Sequence, residues 1–168
     1  MNSSKKQRPK LVLDTNVWVS AFLAKGPPSR IVQMAEDKQV QLFASLHILD
    51  EIRRVLEYEK ILSILRRSGK EPSAIMTTII SLCSLVDVRS TIQAVQEDST
   101  DKQVLACAKD ASADFIVTGD RHLLNLGKFE KIAILTATSF LEMKVGSVEL
   151  QHSVRKASAL KVSWNVAH

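Results

Sequence analysis

The sequence predicts an α/β fold, a three-layer α/β/α sandwich around a mostly parallel sheet. Short, continuous apolar runs such as Leu11–Leu13 and Phe115–Thr118 have the pattern of strands buried on both faces. Between such runs, apolar residues recur at helical spacing and give one-sided helices. The alternation of the two builds right-handed βαβ units, with helices on both sides of the sheet. The length of 168 residues suits one domain, and 45% apolar with 24% charged residues excludes wholesale disorder and a disulfide scaffold.

The elements follow in order. Residues 1–9 are a basic, polar tail, and Leu11-Val12-Leu13 is the first strand, ending at Asp14-Thr15-Asn16. Gly26-Pro27-Pro28 marks a loop, followed by a short helix containing Ile31, Val32, Met34 and Ala35 and a strand at Val40–Ala44. Ser45 is placed to cap a helix over Leu46–Glu57, in which Ile48, Leu49, Ile52, Val55 and Leu56 share one arc. Asp50 and Arg54 lie opposite as a solvated i, i+4 pair, whereas Glu51 falls at the edge of the apolar arc. Residues 60–70 are basic and end at Ser68-Gly69. Pro72 then opens a helix in which Ile75, Ile79, Leu82 and Val86 keep helical spacing. The polar stretch Gln96–Asp101 leads into a helix that puts Asp101 on the face of Val104, Leu105 and Ala108. A strand at Phe115–Thr118 stops at Gly119-Asp120. A last strand, Ile132–Leu135, precedes Ser139-Phe140-Leu141-Glu142, which reads as a capping box. The domain spans residues 10–144, with a basic extension over 145–168.

Charge is uneven along the chain. Net charge is +5, from 23 bases and 18 acids. Four bases fall in the first ten residues and three after Glu149, and neither end holds an acid; without these seven, 16 bases face all 18 acids and the body carries −2. The basic balance belongs to the ends and is compatible with an RNA partner without establishing one. Cys83 and Cys107, each in an apolar stretch that reads as helix, form no Cys-x-x-Cys pair, which points to two buried thiols in a reduced, cytoplasmic protein. No run of 18 apolar residues predicts a membrane span, and the basic start lacks the apolar segment of a signal peptide.

Asp14 and Asp120 stand at the carboxyl ends of the two most strand-like runs, the edge at which open parallel sheets bind ligands. Asp101 at a helix start and Glu51 at a core border are the other two acids in positions that are not simply solvated. Four carboxylates meeting in a small volume repel unless a cation neutralises them, and all-oxygen donors suit Mg²⁺ or Mn²⁺. Each acid alone also has a structural reading: Asp14 closing a turn, Asp101 favouring a helix start, Asp120 capping the next segment, Glu51 half-exposed beside Arg53. Other chemistries lack their parts. Asn16 replaces the second acid of the D-x-D pair that aspartyl phosphatases need, and no G-x-S-x-G or phosphate-loop motif occurs.

Four motifs, L-V-L-D-T-N-V at 11–17, I-L-D-E-I-R-R-V-L at 48–56, D-x-x-D-x-x-V-L-A-x-A at 98–108 and A-D-F-I-V-T-G-D at 113–120, together with I-L-T-x-x-x-F-L at 134–141, resemble the PIN domain family. The likeness runs from Leu11 to about Lys144, and in particular resembles small bacterial PIN proteins assigned as toxins of toxin–antitoxin pairs. It implies a nuclease that cleaves single-stranded RNA with a water activated by carboxylate-bound Mg²⁺ or Mn²⁺. Asp14, Glu51, Asp101 and Asp120 match the four metal-site and catalytic acids, and Asn16 and Thr118 match supporting polar positions. Asp98, one turn before Asp101, either shares metal binding or orients a water, while Asp114 starts a strand and faces away. Candidate RNA contacts are Lys25, Arg30, Arg53, Arg54 and Arg121, with the basic ends. Trp18 reads as core with base stacking as the alternative, and Trp164 is the better stacking candidate. Expected partners are the RNA, an antitoxin and a second copy in a homodimer, with no membrane. The alternative reading is a non-catalytic RNA- or protein-binding module on the same fold.

Overall fold

A computed structural model describes residues 7–93 and 99–144. Asp98, Trp164 and the 145–168 extension lie outside the described residues. The chain runs β1 (Lys10–Leu13), α1 (Thr15–Leu23), α2 (Pro27–Glu36), β2 (Gln41–Ser45), α3 (Leu46–Leu56), α4 (Glu59–Arg67), α5 (Pro72–Leu82) and β3 (Cys83–Val86). It continues with α6 (Ser99–Asp110), β4 (Phe115–Val117), α7 (Arg121–Leu126), β5 (Lys128–Phe129), β6 (Ile132–Leu135) and a helix α8 over 137–144.

Six strands form one sheet in the order β3-β2-β1-β4-β6-β5, and all neighbours are parallel except β5 and β6. This is the expected α/β architecture with a mostly parallel sheet. Leu11, Val12 and Leu13 are fully buried, as a central strand covered on both faces requires. In β1, Val12 pairs Phe43 on one side and Ile116 on the other. Strand order reverses between β1 and β4: the chain builds outward from β1 through β2 to β3, then returns to the other side of β1. That reversal opens a crevice beyond the carboxyl ends of β1 and β4. Past the regular ladder, the Asp14 amide still donates to the Val117 carbonyl at 2.9 Å and the Thr118 amide to the Leu135 carbonyl at 2.9 Å, which fixes the residues at the crevice floor.

The α3 prediction holds closely. Ile48, Ile52 and Leu56 are fully buried, and the Ser45 hydroxyl accepts the Ile48 amide at 3.3 Å as N-cap. Three local readings are corrected. Leu82 ends α5, and Cys83–Val86 forms β3 instead of further helix, pairing Cys83 with Leu42 and Val86 with Ser45. Val86 keeps helical spacing from Ile79 and Leu82 by coincidence, and pairing with β2 overrides that local period. Cys83 is therefore a half-buried strand residue, while Cys107 is buried in α6. Burial pushes the Cys107 thiol up to about 12, so it is unreactive. The cap of α8 is Thr136, whose hydroxyl oxygen accepts the Ser139 amide at 3.1 Å, so Ser139 lies inside the helix and does not cap it. Thr136 comes first after β6 and already offers a side-chain acceptor. Pro27 and Pro28 belong to the first turn of α2, not to a loop, because proline needs no amide partner there.

A clamp holds the segment after β3 against the end of α6. The Asp110 carboxylate accepts the Arg89 amide at 2.6 Å, the Ser90 amide at 2.9 Å and the Ser90 hydroxyl. These bonds hold the Asp110 carboxyl below its usual range. No helix among the described residues is long and apolar enough to cross a membrane.

Candidate active site

Asp14 follows β1 directly and is the N-cap of α1. Its Oδ1 accepts the Thr15 amide at 2.8 Å, and its Oδ2 accepts the Thr118 hydroxyl at 2.7 Å. Thr118, just past β4, is 1% exposed and also accepts the Asp120 amide at 3.0 Å. Asp120 in turn caps α7, its Oδ1 accepting the His122 amide at 2.7 Å and the Leu123 amide at 3.4 Å. On the other side the Thr15 hydroxyl donates to Glu51 Oε2 of α3 at 2.7 Å. One hydrogen-bonded chain, Asp120–Thr118–Asp14–Thr15–Glu51, therefore joins three acidic residues from three different strand–helix units, Asp14 and Glu51 through their carboxylates and Asp120 through its backbone amide. The capping readings of Asp14 and Asp120 hold, and each capping carboxylate keeps a lone pair for a further partner.

The electrostatics follow from this crowding. Burial raises the Asp14 carboxyl above its ordinary value. The Thr118 hydroxyl and Thr15 amide pull it back, and the Glu51 and Asp120 carboxylates push it up again. Thr118→Val keeps the shape and removes both the donor to Asp14 and the acceptor for the Asp120 amide. We expect a loss of about 1–3 kcal/mol in urea unfolding, largely recovered in Thr118→Ser; a Val variant as stable as the parent would mean the hydroxyl is not integral to this corner.

Asp101 is 4% exposed in the first turn of α6. Asp101 stands near the start of the helix between the two parallel-running strands β3 and β4. No three His, Cys, Asp or Glu side chains among the described residues stand close enough to share one ion. Asp14 is linked to Glu51 through Thr15, and to the Asp120 backbone through the Thr118 hydroxyl, and the acids are not drawn to a single point. The donor set still fits a hard divalent cation. It is all oxygen, it leaves lone pairs open on Asp14, Glu51 and Asp120, and Asp14 stands in a field that positive charge would relieve.

Asn16 is exposed in the first turn of α1. Thr15 had no sequence assignment. Its signal was a hydroxyl residue directly after a strand-end acid, but only the packing of α1 against α3 reveals its second partner. Arg53 is engaged by Asp50 at 3.0 Å and Glu57 at 3.3 Å, and Arg54 by Asp50 at 3.5 Å, so Arg53 does not partner Glu51. Lys25 follows α1 at the end remote from Asp14, roughly 13 Å along the helix axis. Arg121, the exposed first residue of α7 beside Asp120, has no ion pair among the described residues. Asp114 accepts the Lys10 amide at 2.8 Å at the opposite, amino edge of the sheet, away from the crevice as expected. Trp18 is fully buried, which removes base stacking as its role.

The family model described as the PIN domain matches residues 10–122. The chain belongs to the PIN domain family. PIN domains are a nuclease-type fold and typically use divalent metals. This PIN domain is 27% identical over 127 residues to the uncharacterized protein MJ1680 of Methanocaldococcus jannaschii, covering 75% of this chain and 80% of that one. Among solved structures it is similar to the RRP44 PIN domain of T. brucei, at 14% identity and a TM-score of 0.49, covering 88% of each chain.

Proposed function

We propose that this PIN domain is a metal-dependent endoribonuclease acting on single-stranded RNA. The observation that carries this reading is the continuous chain Asp120–Thr118–Asp14–Thr15–Glu51 at the point where strand order reverses. When bound, Mg²⁺ or Mn²⁺ supplies an activated water and charge stabilisation at the scissile phosphate. Asp14, Glu51, Asp101 and Asp120 are the acids that would supply its ligands, at most two of them to any one ion as the side chains stand. Thr15 and Thr118 orient the carboxylates from behind, and Arg121 is placed to attract the RNA backbone. The assay is cleavage of a single-stranded RNA with Mn²⁺ or Mg²⁺ and its loss in EDTA; a pure protein inert across varied RNA sequences would overturn the reading. Kinship further suggests a toxin restrained by an antitoxin that covers the crevice. Growth arrest on expression, relieved by co-expressing the product of an adjacent gene, tests that role.

A non-catalytic binding module is the second reading, and the separation of the acids favours it. Thermal melting with Mn²⁺ separates the two. At a hundred times its dissociation constant a specifically bound ion adds about 2.7 kcal/mol, which for a domain of this size raises the melting temperature by roughly 5–10 °C. No shift at millimolar Mn²⁺ would favour the binding module.

A further inference from the structure

We infer that Thr15 is a positioning residue for the metal site, one that sets the Glu51 carboxylate in register with Asp14; this rests on the metal-dependent reading above. Asp14 is fixed by backbone, because its amide continues the β1–β4 ladder. Glu51 is not. It projects from the second turn of α3, is half-buried, and reaches the crevice through a side chain with three rotatable bonds. Ordering such a side chain costs rotamer entropy, so something must hold it. Thr15 Oγ1 does so at 2.7 Å from Oε2, from a residue that is 3% exposed and β-branched, hence restricted in χ1.

The position of Thr15 explains why its hydroxyl is available. Within a helix, threonine usually donates back to the carbonyl three or four residues earlier. Thr15 is the first residue of α1, so no preceding helical turn lies behind it and the proton goes to Glu51. Its backbone amide meanwhile donates to Asp14 Oδ1. One residue thus serves two carboxylates from different parts of the chain, with amide and hydroxyl pointing to different acids.

The test is Mn²⁺ affinity of the full chain, read from the Mn²⁺ dependence of thermal melting, in the parent, Thr15→Val, Thr15→Ser, Glu51→Gln and the Thr15→Val/Glu51→Gln double variant. Loss of the hydroxyl should weaken Mn²⁺ binding about tenfold, as loss of a group orienting a metal ligand does. Thr15→Ser should restore most of the affinity, and the double variant should bind little worse than Glu51→Gln alone. Thr15→Ala gives the same comparison if the Val variant does not fold. Parent-like affinity in Thr15→Val, a Ser variant as weak as the Val variant, or fully additive losses in the double variant would each overturn the assignment. No Mn²⁺ response in the parent overturns both this inference and the metal-dependent reading. Mn²⁺ binding without RNA cleavage overturns the nuclease reading alone.

Discussion

Asp14→Asn should fold and yet lose metal-dependent RNA cleavage by on the order of 10²–10³-fold, the range seen when one transition-state electrostatic contact is removed. Asparagine keeps the cap, since its side-chain oxygen can still accept the Thr15 amide, and it is among the best N-cap residues. What disappears is the negative charge at the centre of the hydrogen-bonded chain. Asp120→Asn should behave alike, because its capping role also survives as an amide. Asp120→Ala should lose activity and about 1 kcal/mol of stability together. Retention of Mn²⁺-dependent cleavage in pure Asp14→Asn protein would overturn the assignment of Asp14 as a metal-holding acid.

The same variant has a signature in pH. The Asp14 carboxyl is held above its ordinary value of 3.8 in the fold, so the native state binds more protons than the unfolded chain just above that pH. Stability from this group therefore falls as pH rises from about 3.8 through the folded value, and the penalty is complete above it. In EDTA, Asp14→Asn should be at least as stable as the parent at pH 7, with its advantage shrinking towards pH 4. A variant less stable than the parent at neutral pH would mean that the hydrogen bonds to the charged form outweigh burial and repulsion.

Trp18→Ala should be the most damaging single change in the core near the site, at about 3–5 kcal/mol, a large share of the roughly 5–15 kcal/mol that keeps a domain folded. Trp18 is fully buried one turn after Asp14, and its amide donates to the Asp14 carbonyl at 3.2 Å. Its ring anchors the start of α1, the segment that presents Asp14 and Thr15. Its indole Nε1 is buried with no hydrogen-bond partner among the described residues, which offsets part of what the ring contributes. Trp18→Phe should accordingly cost much less, and urea midpoints for the two variants check the difference. A Trp18→Ala loss below about 1 kcal/mol, far under the usual cost of emptying such a site, would show that the ring does not anchor α1.

The central strands were legible because burial on both faces leaves a local mark, an unbroken apolar run, at Leu11–Leu13 and Phe115–Val117. Helix α3 was legible because its one-sided burial repeats with the helical period, about 3.6 residues. β3 was not, because a four-residue edge strand whose middle residues are exposed carries no such mark, and an accidental period continued α5 across it. Short antiparallel β5, only two residues long, left no signal for the same reason.

Sequence by itself determined the family, the α/β layering and which acids end strands or start helices, since those depend on local pattern and residue identity. Only the tertiary structure decided that β1 and β4 are neighbours, that Thr118 reaches Asp14 across the crevice, and that Thr15 reaches Glu51 across 36 positions of chain. The same holds for the bases: Arg53 and Arg54 are held by acids on their own helix, while Arg121 stands at the crevice without an ion pair among the described residues. Hydrogen-bond partners so far apart in the chain leave no periodicity to read. They are set by strand order and helix packing, and these are what turn scattered carboxylates into one connected edge.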